Sequence, residues 1–241
     1  MNHKKSKNNK GFYLPFQKKN KKNYFNINYR RDIFIEQLKK QGKHNIKKIT
    51  FLDHHTCHAY YSYFSAKNRK ENSCVVAVDS YGDKANQTVW VVKRNKLQLV
   101  AKTDQFEIAR IYKFITLILN MKPEEHEFKV MGLSAYSKKK FILDVYEKVF
   151  KNIQKFDGIK IVHNKRPKDL YNYLREATKD FRFDNIAGGL QYFVEKIIKE
   201  LLERIYKKYK VKNFYFSGGV SMNVKMYNNL GKLNFVNFLY S

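Results

Sequence analysis

Three histidines fall within the five residues from His54 to His58, directly after Asp53. The residues from Thr56 to Ala66 follow a helical pattern, so this cluster enters a helix. On a helix His54 and His58 are four apart and share one face. Two imidazoles on one face can bind a single ion. With a carboxylate they suit a divalent metal such as iron or zinc, with positions left open for substrate. Hydrogen-bonded histidines at a helix start are the alternative, and three of them beside an aspartate favour a site. Cys57 adjoins His58, but neighbouring helical residues do not face each other, which argues against a thiol nucleophile.

Asp79 ends a run of small apolar residues, Val75 to Val78, that reads as a buried strand. A carboxylate at the C-terminal end of a strand faces the crevice in many α/β proteins, so Asp79 is the candidate third ligand. Gly82 allows a tight turn and Asp83 adds an acceptor; an Asp-rich turn explains these residues equally well. Phe214 to Phe216, Ser217-Gly218-Gly219 and a helix over Ser221–Asn229 make a strand, turn and helix. There backbone N–H groups can approach a phosphate, and Asn223 can bond a ribose or base. An ordinary connection has the same pattern. His126, Glu127 and Lys129 can position an anionic substrate or move a proton. Pro123 followed by acids equally marks a solvated helix start.

The elements that must position these groups follow from periodicity and punctuation. Residues 1–24 read as a basic tail, Tyr29 to Gln41 as a helix stopped by Gly42, and Ile46 to Leu52 as a strand. Strands over Val75–Asp79, Thr88–Lys93 and Leu97–Ala101 form an antiparallel meander with Asn95-Lys96 as its second turn. Helices are predicted over Ile108–Leu119, Phe128–Ala135, Lys139–Lys151 and Pro167–Arg175, and a short strand over Ile159–Val162. Asp184 to Tyr206 is the clearest helix, with Gly188-Gly189 placed for a close helix–sheet approach. Together they predict an α/β domain over residues 25–241.

Composition bounds the alternatives. Hydrophobic residues make up 43% of the 241 and aromatics 16%, enough for a real core. There is no run of 18 apolar residues and no secretory h-region at the start, so neither a membrane span nor a signal peptide is expected. Two cysteines, Cys57 and Cys74, make no disulfide framework, and a reducing cytoplasm is the expected compartment. The net charge of +28 comes from 40 Lys and only 9 Arg spread along the chain. A nucleic-acid surface clusters its charge and favours arginine forks, so nucleic acid is not the expected partner.

Five segments, in order, resemble the NodU/CmcH-type O-carbamoyltransferase family. They are Asp53-His54-His55-Thr56-Cys57-His58-Ala59, Val78 to Asp83, Met121 to Leu133, Arg182 to Ala187 with Gln191, and Ser217 to Lys225. The resemblance runs from about Arg30 to Asn229. It implies an actin-like, ribonuclease-H-type α/β fold. It also implies transfer of a carbamoyl group from carbamoyl adenylate, made from carbamoyl phosphate and ATP by a second domain, to an acceptor hydroxyl on a sugar or natural product. Carried onto this sequence, His54, His58 and Asp79 match metal ligands, and Gly218, Gly219 and Asn223 match the nucleotide-contacting turn. His55 is the candidate base. The Lys/Asn-rich start and residues 235–240 look unlike the family. The implied actin-like domain is therefore incomplete, and a partner chain is expected to supply the adenylate-forming part. An inactive remnant and a basic nucleic-acid-associated protein of the same superfold are the competing readings.

Overall fold

The computed structural model describes residues 27–42, 48–234 and 236–239. The expected basic tail lies outside them. Two units divide the chain, Met1–Leu52 and Asp53–Ser241. In the first, helix α1 spans Ile27–Lys40, with Lys39 and Lys40 at its C-terminal end, where the helix dipole favours cations. Phe51 packs edge-on against Phe34 and lies under the Arg31 guanidinium. The expected strand over Ile46–Leu52 is not formed: residues 48–52 carry no regular structure, and 46–47 are outside the described residues.

The second unit is built on a five-stranded sheet. Helix α2 (His54–Phe64) precedes strands β1 (Ser73–Gly82), β2 (Ala85–Lys93) and β3 (Lys96–Thr103). These three form the antiparallel meander. Its turns sit at Asp83-Lys84 and Arg94-Asn95, pairs in the left-handed region suited to two-residue hairpins. The second turn falls one residue before the expected Asn95-Lys96, where the Glu71 carboxylate accepts both Arg94 N–H and Asn95 N–H (2.9 and 2.8 Å). Strands β6 (Asn213–Ser217) and β7 (Asn237–Leu239) extend the sheet in parallel, giving the order β3-β2-β1-β6-β7 with only β2 reversed.

One sheet face carries most of the core. Cys74, Val76, Val78, Val89 and Phe214 pack there with α3 (Ile108–Ile118) and the long helix α7 (Phe183–Tyr209). Helix α2 covers the other face, its Ala59 and Tyr63 packing with Val75, Trp90 and Tyr215 of the sheet. The expected helix from Lys139 is α5 (Lys139–Val145) continued by one π-turn over Tyr146–Phe150. Gly188 and Gly189 serve a helix–helix contact rather than the expected helix–sheet one: a Cβ on either would lie 2.7 or 2.5 Å from Ile142 or Val145 of α5. A hairpin of β4 (Gln154–Asp157) and β5 (Lys160–His163) is tied to β2 by the Gln87 amide, which donates to Ile159 O and accepts from Ile161 N–H. Helix α4 (Glu127–Leu133) follows α3, α6 (Leu170–Thr178) follows the hairpin, and α8 (Val224–Leu230) lies between β6 and β7.

Candidate metal centre and adjoining cavity

Asp53 caps α2, its carboxylate accepting from Thr56 N–H and hydroxyl at 3.0 and 3.2 Å. The His54 N–H donates to Asp83 Oδ2 at 2.7 Å, so the helix start is held by its own cap and by the β1–β2 turn. On the next strand Lys102 Nζ reaches the second Asp53 oxygen at 3.3 Å. This clamp turns His54 and His58, one helical turn apart, toward the end of β1.

There the two Nε2 atoms stand 2.9 and 3.2 Å from Asp79 Oδ2 and 3.1 Å from each other. Ligand atoms bound to one ion at about 2.1 Å lie about 3 Å apart on an octahedral face and about 3.4 Å apart in a tetrahedron. The donor set, two imidazoles and a carboxylate, therefore fits one divalent ion in both chemistry and spacing. Burial raises the Asp79 carboxyl. Hydrogen bonds from His54 and from Ser80 N–H, with the charge of both histidines, outweigh burial and leave it below the ordinary carboxylate value. Asp79 is thus held as an anion, as a ligand must be.

The glycines of this region are placed by close approach. A Cβ on Gly82 would lie 2.2 Å from His54 Cδ2, so the bare backbone at Gly82 is what admits the ring. The tight turn expected of Gly82 is made instead by Asp83 and Lys84. Gly218 has φ +85°, and a Cβ there would meet Val78 O at 2.2 Å; one on Gly219 would lie 3.3 Å from Asp79 Oδ1. The pairing of β1 with β6 ends at Ala77 and Ser217, so Asp79 and the Gly218-Gly219 turn emerge side by side at the C-terminal ends of parallel strands. That is where open α/β sheets place ligands.

A cavity of about 510 Å³ opens at this point between β1, α3, α4 and the turn. Asp79, Tyr112, Glu127, Phe128, Val220 and Asn223 are among its lining residues, a mostly apolar wall with a few polar groups. Asn223 caps α8, accepting Met226 N–H at 2.9 Å, and pairs with the Gln191 amide. Glu127 accepts Glu124 N–H at 2.7 Å. Glu124 and Glu125 are paired with Lys113 and Lys122.

Two sequence expectations do not reach the cavity. His55 is fully buried and its Nε2 lies 3.0 Å from Ala85 O, a bond that ties α2 to β2. Burial lowers its pKa, keeping it neutral. A ring enclosed in this way cannot take a proton from a substrate, so the role of base passes from His55. His126 and Lys129 face each other at 3.0 Å, and His126 also accepts Lys122 N–H. Neither lines the cavity, and of that trio only Glu127 does. Tyr112 was not singled out in the sequence, because its position on α3 looks like any other on an amphipathic helix.

The site sets a candidate metal-ligand cluster beside a cavity in an α/β domain. The chain belongs to the family described as carbamoyltransferase N-terminus, whose sequence model matches residues 4–238. The match includes the Lys/Asn-rich start and the segment after Asn229, both of which look unlike the family by motif alone. Among similar proteins are two uncharacterized proteins of Methanocaldococcus jannaschii. MJ1051 is 28% identical over 85% of this chain and 40% of its own length, and MJ1058 is 28% identical over 75% and 32%. An uncharacterized protein of Synechocystis, sll1178, is 24% identical over 74% and 31%. The chain therefore spans less than half the length of these relatives.

Proposed function

We propose that this chain contributes the catalytic pocket for transfer of a carbamoyl group from carbamoyl adenylate to a hydroxyl of a sugar or natural-product acceptor. The observation that carries the reading is the juxtaposition at Asp79: one carboxylate faces two imidazoles and also abuts the Gly218-Gly219 turn and the cavity. His54, His58 and Asp79 would hold a divalent ion, iron or zinc. When bound, such an ion polarises a carbonyl or phosphoryl oxygen. The turn and Asn223 bind the nucleotide part, and the apolar wall at Phe128 and Val220 limits water around the carbamoyl–phosphate anhydride. Glu127, the cavity glutamate without a lysine partner among the described residues, takes the acceptor's hydroxyl proton.

The sheet order, with β2 alone reversed, supports an actin-like, ribonuclease-H-type fold for this part of the molecule. We assign formation of the adenylate to a further domain or partner chain, as the family resemblance implies. No helix among the described residues is long and apolar enough to cross a membrane.

The test supplies the protein with carbamoyl adenylate, generated by an adenylating enzyme, and a polyhydroxylated acceptor. AMP release coupled to acceptor carbamoylation is expected, and His58→Ala should slow it at least about tenfold. Equal rates in wild type and variant would remove the reading.

A further inference from the structure

The Gln191 amide lies inside α7, 2% exposed, and makes every hydrogen bond that an amide can. Nε2 donates to Glu195 Oε1 (2.8 Å) and Asn223 Oδ1 (3.0 Å). Oε1 accepts from Asn223 Nδ2 (2.9 Å) and from the Tyr112 hydroxyl (3.2 Å). Both amides are oriented from outside the pair. Met226 N–H requires an acceptor, which fixes the Asn223 oxygen toward α8. The Glu195 carboxylate, itself held by Asn229 Nδ2, requires a donor, which fixes Gln191 Nε2. The two demands agree. A flipped Gln191 would set oxygen against oxygen at both Glu195 and Asn223, at about 1–3 kcal/mol for each buried group left unpaired.

The consequence reaches the cavity, which both Tyr112 and Asn223 line. Asn223 has spent both oxygen lone pairs and one N–H, so a single Nδ2–H is left. Tyr112 has spent its only hydrogen and keeps oxygen lone pairs. Burial, with Glu195 and Glu127 nearby, pushes the phenol pKa up, so it stays protonated at neutral pH.

We propose that Gln191 is a positioning residue: by taking up the second Asn223 oxygen lone pair, one Asn223 N–H and the Tyr112 hydrogen, it leaves Asn223 a donor-only and Tyr112 an acceptor-only contact, so that the cavity selects a ligand offering an acceptor atom to the first and an N–H or O–H to the second. A nucleoside monophosphate carries both kinds of group. The choice of AMP as probe rests on the carbamoyl-adenylate reading, whereas the amide geometry does not.

The experiment combines side-chain amide NMR of ¹⁵N-labelled protein with AMP titration. In wild type the Asn223 Nδ2 proton bonded to Gln191 should be resolved and protected from solvent exchange. In Gln191→Met, similar in volume, it should exchange freely and AMP binding should weaken about tenfold. Asn223→Ala should weaken it similarly, and the double variant no further. If Gln191→Met does not fold, Gln191→Leu, which likewise offers neither donor nor acceptor, gives the same readout. Unchanged protection of Asn223 in the Gln191 variant, or AMP binding lost in Asn223→Ala and kept in the Gln191 variant, would overturn the inference. Amide behaviour as expected with no AMP binding by wild type would uphold the positioning role and remove the adenylate reading.

Discussion

A methyl group at position 82 would lie 2.2 Å from His54 Cδ2, and ring carbon cannot yield without turning Nε2 away from Asp79. Gly82→Ala should therefore leave the fold standing and weaken zinc binding about tenfold, read by calorimetric titration. That corresponds to roughly the 0.5–1.5 kcal/mol of a side chain pushed off its rotamer. At this scale the candidate ligands were legible in the sequence and their support was not. His54, His58 and Asp79 stand out because helical spacing and a strand end are local properties. The reason for Gly82 is a contact across 28 positions, and the same holds for Gln191, whose partners lie on α3 and beside α8. His55 misled because a histidine beside two ligands looks the same whether it faces solvent or backbone.

Helix α7 is a stringent case at the scale of elements. Alanine normally improves a helix interior over glycine by about 1 kcal/mol. At Gly189 the new methyl would meet Val145 Cγ1 at 2.5 Å and Cβ at 2.7 Å, in a short branched side chain that cannot swing aside. Overpacking of this kind costs about 1–3 kcal/mol, so Gly189→Ala should lower the melting temperature. Gly132→Ala in α4, with nothing within 4 Å, should raise it slightly. Thermal melts of the two variants make the comparison, and a rise in both would mean that α5 and α7 are not in close contact. Helices and the meander were legible because their apolar periods are long. Strand β4 was missed because Gln154-Lys155-Phe156-Asp157 has no alternating apolar pattern; backbone pairing with β5 makes it.

Across the whole molecule, the β4–β5 hairpin is joined to α3 by a buried carboxylate. Glu107 accepts from Arg110 at 2.7 Å and from Arg166 at 2.9 and 3.1 Å, and His163 Nε2 lies 3.5 Å away. Burial lowers the His163 pKa; Glu107 works against this, Arg166 with it, and the net shift is downward. As pH falls below the ordinary imidazole value of 6.5, the unfolded chain takes up a proton that the folded one resists. Stability should therefore fall with pH below that point and rise through the same window on return. His163→Gln should reduce the slope of this part of the profile in denaturant melts at pH 5 to 7, buried His55 supplying the rest, and an unchanged slope would show that His163 does not contribute. None of this was legible in sequence, where Glu107 and Arg166 stand 59 residues apart. The extent of the family match was hidden as well, since lysine and asparagine in the first residues obscure any motif.

We propose that His54, His58 and Asp79 hold one metal ion, and metal analysis of purified wild type, His54→Ala and His58→Ala is the decisive measurement. About one divalent ion per wild-type chain and little in either variant is expected. Equal metal content in all three would contradict it.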